Sequence, residues 1–175
     1  MDWLSIKEFF KDSIKYIIVI FVILFVISYV FSITQVVGSS MSPTLSEGQV
    51  LVLNKFIYRF RDIKREDIVS FEYVDTKYLI KRVIGLPGEK IDIVNNILYI
   101  NDKAYSEDYL KEGLNYNDFH ISDLGYDSVP EGMYLVLGDN RENSLDSREI
   151  GVIAKENIKG KISMRFWPFT KIKFF

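Results

Sequence analysis

The sequence of 175 residues contains no cysteine and a single histidine, His120. The absence of cysteine excludes disulfide bonds, thiolate metal sites and a cysteine nucleophile. A zinc site built from several histidines is excluded as well, because only one imidazole is present. No cofactor motif occurs in the sequence. We therefore expect a protein that works without a metal or another cofactor.

The sequence also has no excess of charge of one sign. The 22 lysines and arginines are balanced by 24 aspartates and glutamates, so the net charge is −2. A nucleic-acid-binding protein would show a basic excess. We therefore expect no nucleic acid among its partners. A chain of this length accommodates one modest domain and an appendage.

One long apolar run, YIIVIFVILFVISYVFSI, extends from Tyr16 to Ile33 without charge, glycine or proline. About 18–22 helical residues cross a hydrocarbon core of roughly 30 Å. A cleaved signal peptide would have a shorter apolar core of about 7–15 residues and then a small-x-small site. Bulky residues follow this run instead. The pattern therefore predicts a retained transmembrane helix over residues 16–35.

The distribution of lysines predicts how this helix is oriented. Lys7, Lys11 and Lys15 precede the apolar run, and no lysine or arginine occurs between Thr34 and Leu53. Cytoplasmic flanks carry the excess of basic residues. We therefore expect a single-pass protein of the plasma membrane, with residues 1–15 in the cytoplasm and residues 36–175 outside.

After residue 35 the sequence consists of short runs rich in β-branched and aromatic residues, separated by turn sequences such as LPGE and PEG. Asn95-Asn96 and Asn101-Asp102 are typical of hairpin turns. We predict a mainly antiparallel β domain, folded as a sandwich or an irregular barrel. Residues 103–128 are polar and dotted with tyrosine. They are expected to form a variable insertion with a short helix over 106–111.

A cluster of serines, GSSMSPTL at residues 38–45, follows the apolar run. Glycine, serine and proline after a membrane helix commonly form only a turn. One of the serines is a nucleophile only if a base activates it. His120 is one candidate base, although a histidine in a polar segment is more often an ordinary exposed residue.

Lys81 is a second candidate base, within the apolar segment YLIKRVIGLPG at residues 78–88. Strand alternation places Lys81 on the same face as Leu79 and Val83. Burial there would favour the neutral amine. Lowering its pKa from about 10.4 to 7–8 requires about 4 kcal/mol. A lysine that extends to the surface is the alternative, and the segment alone leaves both open.

A third segment, GDNRENSLDSRE at residues 138–149, follows an apolar strand. It is either a solvated turn or a polar network around a lysine, with Ser144 as an orienting hydroxyl and Asp146 paired with Arg148. An EF-hand calcium loop is not indicated, because Arg141 and Ser144 occupy its third and sixth positions.

Taken in this order, four segments resemble the bacterial type I signal peptidases (leader peptidases), in particular the single-anchor Gram-positive-like type. The segments are GSSMSPTL at 38–45, KREDIV at 64–69, KRVIGLPGE at 81–89 and GDNRENSLDSR at 138–148. The resemblance implies a signal-peptidase-like β fold carrying a Ser–Lys dyad. It also implies a membrane-bound serine endopeptidase that removes signal peptides from exported preproteins through an acyl-enzyme.

The resemblance implies the site residues as well. Ser40 matches the nucleophile and Lys81 the general base, and backbone N–H groups at Ser40 and Gly38 are assigned to the oxyanion hole. Some members carry a serine hydroxyl where this sequence has Gly38. The supporting network comprises Ser144, Asp146 and Arg148, with Ser144 hydrogen-bonded to the lysine.

The implied partners are secretory preproteins with Ala-x-Ala-like cleavage sites, the lipid bilayer and, by proximity, the secretion translocon. Two alternatives remain open. One is a non-catalytic membrane-anchored β domain that serves in assembly. The other is a related Ser–Lys protease with a dedicated pilin-like or conjugation client.

Overall fold

The computed structural model of the protein describes residues 3–74, 77–111 and 113–175. The helices are α1 (Trp3–Val30) and α2 (Ser147–Ile150). The strands are β1 (Phe31–Gln35), β2 (Val50–Asn54), β3 (Ile68–Val74), β4 (Lys77–Gly85), β5 (Ile91–Val94), β6 (Ile97–Ile100), β7 (Lys103–Tyr105), β8 (Phe119–His120), β9 (Met133–Leu137), β10 (Ile153–Ala154), β11 (Ile158–Trp167) and β12 (Lys173–Phe174).

The N-terminal helix contains a stretch, Lys11–Val30, that is long and apolar enough to cross a membrane. None of this stretch is buried within the protein, which suits a helix that faces lipid. The predicted end of the helix at residue 35 is wrong. Residues Phe31–Gln35 leave the helix and form β1, which pairs antiparallel with β2. The partner strand that stabilises this extended conformation lies 15 or more residues further along the chain, so local periodicity could not indicate it.

The strands form two antiparallel sheets, as the sequence predicted. The larger sheet has the order β1-β2-β11-β3-β4-β9-β10, with β12 paired to β11, and the smaller has the order β7-β6-β5-β8. Both predicted hairpins are present. Asn95 and Asn96 join β5 to β6, and Asn101 and Asp102 join β6 to β7; all four have positive φ, as a two-residue primed turn requires.

Three buried clusters hold the sheets together. The first joins the smaller sheet to β4 and β9 through residues such as Ile84, Ile93 and Leu135. The second surrounds the serine-rich segment and includes Met41 and Leu45 with residues of β2, β3 and β11. The third contains apolar residues of β3, β4 and β9. Strands β3, β4 and β9 are therefore packed from more than one side, which makes β4 a rigid support for Lys81.

Residues 103–128 contribute more to the fold than a solvated excursion would. They supply β7, β8 and the 3₁₀ turn Ile121–Leu124, and Tyr116, Phe119 and Ile121 are buried in the first cluster. The predicted helix over 106–111 is wrong, because these residues form a turn and coil. Side chains from this stretch contact arginines elsewhere in the fold, and those contacts favour the irregular backbone over a short helix.

Candidate active site

Ser40 and Lys81 are 41 residues apart in the sequence and in contact in the structure. Lys81 Nζ donates a hydrogen bond to Ser40 Oγ over 2.6 Å. The serine lies in a turn whose neighbouring Met41 and Leu45 side chains are buried, so the turn is anchored to the core. Lys81 projects from the middle of β4 and is only 2% exposed. The two residues thus form a hydroxyl–amine pair that is largely shielded from water.

Burial changes the acidity of this lysine. Removing the amine from water lowers the pKa of Lys81 to about 8 from its ordinary value of 10.5. The negative charges of Asp146 and Asp139 act against this shift, and the positive charge of Arg148 adds to it. At pH 7 about one amine in ten is therefore unprotonated, against well under one in a thousand for an ordinary lysine. An unprotonated amine in contact with a hydroxyl can act as its base.

The backbone of Gly138–Asn140 holds the serine from the other side. The Asn140 N–H donates to the Ser40 carbonyl over 3.0 Å, and the Asn140 side-chain amide donates to the Ser39 carbonyl over 3.2 Å. A Cβ atom on Gly138 would lie 2.5 Å from the Ser40 carbonyl oxygen and 2.1 Å from Ser144 Oγ. Only glycine fits at this position, because both neighbours are closer than real Cβ contacts allow.

Asp146 and Arg148 form the pair that the sequence predicted. Asp146 is fully buried, and Arg148 Nε and Nη2 donate to its two oxygens over 2.8 and 2.9 Å. The Gly138 N–H also donates to Asp146 Oδ2 over 2.9 Å. Burial raises the pKa of the Asp146 carboxyl, but the hydrogen bonds and charge of Arg148 outweigh it and keep the pKa below its usual value. This fixed carboxylate connects α2 to the backbone beside Ser40.

Ser144 lies beside Gly138, but it does not make the hydrogen bond that the resemblance implied. Its hydroxyl is buried and has no hydrogen-bond partner within the described residues. The Ser144 hydroxyl is close enough to Asp146 to contribute to the lowered pKa of its carboxyl, although the two groups do not meet the geometry of a hydrogen bond. The hydrogen bond of Lys81 goes to Ser40 instead. A role for Ser144 in orienting the lysine remains a prediction.

The proposed oxyanion-hole position, Gly38, has φ of +80°, a conformation that glycine adopts without strain. A Cβ added there would meet no atom within 4 Å, so the backbone conformation explains the glycine better than crowding does. Within the described part of the chain the Ser40 N–H donates no hydrogen bond. It is thus available to a developing oxyanion.

Arg82 and Asp139 form a buried ion pair that the sequence reasoning missed. Arg82 Nε and Nη2 donate to the Asp139 carboxylate over 2.9 and 2.6 Å, with 8% and 1% of the two side chains exposed. The guanidinium also lies 3.9 Å from the ring centre of Tyr109. Two features of the sequence could have indicated this pair: an arginine directly after Lys81 and an aspartate directly after Gly138. The pair ties β4 to the backbone that grips Ser40.

His120, the alternative base, lies on β8 in the smaller sheet. Its Nδ1 contacts Asp92 Oδ1 over 2.8 Å, and neither residue contacts Ser40 through a hydrogen bond in the structure. The histidine therefore has a partner of its own, and the geometry favours Lys81 as the base.

A small cavity of about 110 Å³ opens beside the Ser40–Lys81 pair. Its wall combines backbone and side chains from the end of β1 with residues of β4. It is lined by Thr34, Gln35, Val36, Val37, Ser40, Met41, Leu45, Ser70, Tyr78, Leu79, Ile80 and Lys81. The lining combines polar groups with the apolar side chains Val36, Met41, Leu45 and Leu79, so the cavity can hold a small side chain against an apolar part of its wall.

Comparison with known proteins assigns the family. Residues 7–167 match the family described as signal peptidase, peptidase S26. The chain belongs to this signal peptidase family. The signal peptidase I of Bacillus caldolyticus is 41% identical over 152 residues, which cover 82% of this chain and 84% of the relative. Signal peptidase I V of Bacillus subtilis (strain 168) is 47% identical over 137 residues, covering 74% and 82%.

A solved structure of another signal peptidase I agrees with this fold. The crystal structure of the enzyme from Enterococcus faecalis V583 is 37% identical in sequence, with a TM-score of 0.53. The match covers 58% of this chain and 97% of that one. The protein is accordingly a serine peptidase of the signal peptidase class, mainly β and with one N-terminal apolar helix. The predicted family, fold class and enzyme class are confirmed.

Proposed function

We propose that the protein is a membrane-anchored endopeptidase that removes signal peptides from exported preproteins with a Ser40–Lys81 dyad. The observation that carries the proposal is the 2.6 Å contact between Ser40 Oγ and the Nζ of a lysine that is 2% exposed. Burial lowers the pKa of that lysine to about 8, so the neutral amine needed for a base is accessible near neutral pH.

The chemical steps follow from these atoms. Neutral Lys81 takes the proton of the Ser40 hydroxyl as Oγ attacks the scissile carbonyl carbon, and the negative charge moves to the carbonyl oxygen. The Ser40 N–H, with the backbone at Gly38, donates to this oxyanion. Protonated Lys81 then gives its proton to the leaving amine, which leaves an acyl-enzyme. A water molecule deprotonated by Lys81 attacks the ester carbon, the bond to Ser40 Oγ breaks, the acyl product leaves as a carboxylic acid, and Lys81 returns the proton to Oγ.

The substrate is proposed to bind as an extended strand beside the cavity. β1 is an edge strand, and β9 pairs with β4 only at Arg82, Val83 and Gly85. The edge of β4 before Arg82 is therefore open for main-chain hydrogen bonds with a peptide. The cavity of about 110 Å³ next to Ser40 has room for a small side chain and excludes a large one. Both features support selectivity for Ala-x-Ala-like sites.

The anchoring helix explains where the enzyme works. Ser40 follows Val30, the last residue of α1, by ten positions, so it lies within about 33–36 Å of the end of that helix. With the N-terminus in the cytoplasm, the β domain lies outside the plasma membrane. Its site then stays close to the outer surface, where preproteins held by their own signal peptides emerge from the translocon.

Cleavage of a signal-peptide precursor by Ser40→Ala and Lys81→Ala proteins tests the dyad. We expect each single variant to fold and to lower kcat by more than about 1,000-fold, because residues that act as one unit cannot substitute for each other. A Thr170→Ala protein, changed at an exposed position, is the control. Substantial activity in either dyad variant would refute the assignment.

A further inference from the structure

Residues 103–128 carry an acidic side chain that reaches the active-site backbone through a buried arginine. Glu107 accepts hydrogen bonds from both terminal nitrogens of Arg141, which is 34 residues away; the Arg141 Nη1 to Oε2 distance is 3.0 Å. The exposed fraction of the side chain is 6% for Glu107 and 0% for Arg141. The Tyr109 hydroxyl also donates to Glu107. Such a buried, bidentate pair is costly to break by removing one partner, because the other charge is left uncompensated.

The Nε–H group of the arginine points to the backbone that holds the nucleophile, while Nη1 also donates to the Tyr116 hydroxyl over 3.4 Å. Arg141 Nε donates to the Gly138 carbonyl over 3.0 Å. The Cα of Gly138 lies against the Ser40 carbonyl, and Asn140, two residues further along, donates its N–H to the same carbonyl. A continuous chain of contacts therefore runs from Glu107 through Arg141 to the turn that carries Ser40.

Hydrogen bonds hold Gly138 through both its N–H and its carbonyl group. Gly138 is also fixed through its N–H, which donates to the buried Asp146 carboxylate over 2.9 Å. Its carbonyl is fixed only through Arg141 among the hydrogen bonds of the described residues. If the guanidinium turned away, this peptide group could rotate, and the Ser40 turn that rests on it would move with it.

We propose that Glu107 is a positioning residue of the peptidase: by clamping Arg141 it fixes the Gly138 carbonyl, and through it the contact between Ser40 and Lys81. The role rests on the proposed Ser–Lys dyad and gives the 103–128 segment a part in catalysis. Glu107 lines neither the cavity beside Ser40 nor the open edge of β4. Its loss is therefore expected to change kcat rather than KM.

The test measures kcat, KM and Tm for the full chain in detergent with a signal-peptide precursor. Glu107→Gln removes the charge and keeps the shape. We expect kcat to fall about 10- to 100-fold, the scale of a small misplacement of reacting groups, with KM changed less than about twofold. The matched control is Glu142→Gln, at the exposed glutamate adjacent to Arg141, which keeps its acceptor for the Asn115 N–H. The control is expected to match the wild type.

A double variant, Glu107→Leu with Arg141→Leu, separates positioning from stability. Removing both charges together avoids an uncompensated buried ion, so Tm is expected to exceed that of Glu107→Gln. The activity is expected to stay low, because the Arg141–Gly138 bond is lost. This variant decides the question even if Glu107→Gln does not fold.

Two outcomes would overturn the proposal. One is a folded Glu107→Gln protein with the kcat of the wild type. The other is a double variant whose kcat recovers together with its Tm, which would make the pair structural only. Ser40→Ala and Lys81→Ala, assayed alongside, identify which idea has failed. If both are inactive, the failure concerns Glu107 alone; if either is active, the dyad itself is wrong and the positioning role falls with it.

Discussion

The lowered pKa of Lys81 predicts a specific dependence of the rate on pH. Only the neutral amine can take the Ser40 proton, and the pKa of about 8 sets its population. By that value about 91% of the free enzyme is competent at pH 9, about 9% at pH 7 and about 1% at pH 6. We therefore expect kcat/KM to fall about 90-fold from pH 9 to pH 6, with a slope of one on the acid side.

The assay follows cleavage of a signal-peptide precursor at substrate concentrations well below KM, between pH 5.5 and 9.5 at constant ionic strength. This regime reports the pKa of the free enzyme rather than that of the enzyme–substrate complex. A second series with His120→Gln is the control, because a histidine base would place the acid limb about one and a half units lower. We expect the two profiles to superimpose.

Either of two results would refute the lysine base. A profile that stays flat down to pH 6 would mean that no group with a pKa near 8 must lose its proton. Loss of cleavage in the His120→Gln protein would transfer the role of the base to the histidine.

Two further predictions concern Lys81 and Gly138. Lys81→Met is expected to abolish cleavage and to stabilise the fold. The folded-state pKa of Lys81 lies below its unfolded value of 10.5, so the wild type loses stability as pH falls from about 10.5 to 8, by about 3 kcal/mol at pH 7 as an upper limit. The methionine variant has no amine to protonate and avoids this loss. Urea unfolding of the variant and the wild type at pH 7 and pH 10.5 measures this gain. A Lys81→Met protein that is no more stable than the wild type at pH 7 would contradict the prediction. Gly138→Ala is expected to lower kcat by more than about tenfold, since its Cβ would lie 2.5 Å from the Ser40 carbonyl. Gly85→Ala is the matched control, because its Cβ would meet only core side chains at 2.9 Å; it should lower Tm without a comparable loss of kcat, and equal losses in both would indicate a general packing defect.

The resemblance of four segments predicted the Ser40–Lys81 pair, which no single segment indicated by itself. Taken alone, the serine cluster was compatible with a simple turn, and Lys81 with a surface lysine. The structure places both in contact and buries the lysine. It does not provide the implied Ser144–Lys81 hydrogen bond, since the Ser144 hydroxyl has no partner among the described residues. A hydroxyl can be placed by its motif, but the direction in which it points depends on neighbours from other elements.

The sequence by itself determined those features that depend on residues close together in the chain. The apolar run of α1, the alternation of short β segments and the Asn95-Asn96 and Asn101-Asp102 turns all follow from local composition and backbone preference. These are properties of a few consecutive residues, so a single sequence suffices to predict them.

Only the tertiary structure decided which distant groups meet. The end of α1 at Val30 depends on the pairing of β1 with β2, and the turn at residues 106–111 depends on contacts with arginines in other segments. The Ser40–Lys81 contact, the Arg82–Asp139 pair and the Glu107–Arg141 pair span 41, 57 and 34 residues. Each contact is buried in an interior that exists only after the sheets have assembled. The pKa of an amine and the pairing of charges in that interior depend on the loss of water around them, not on adjacent residues in the chain.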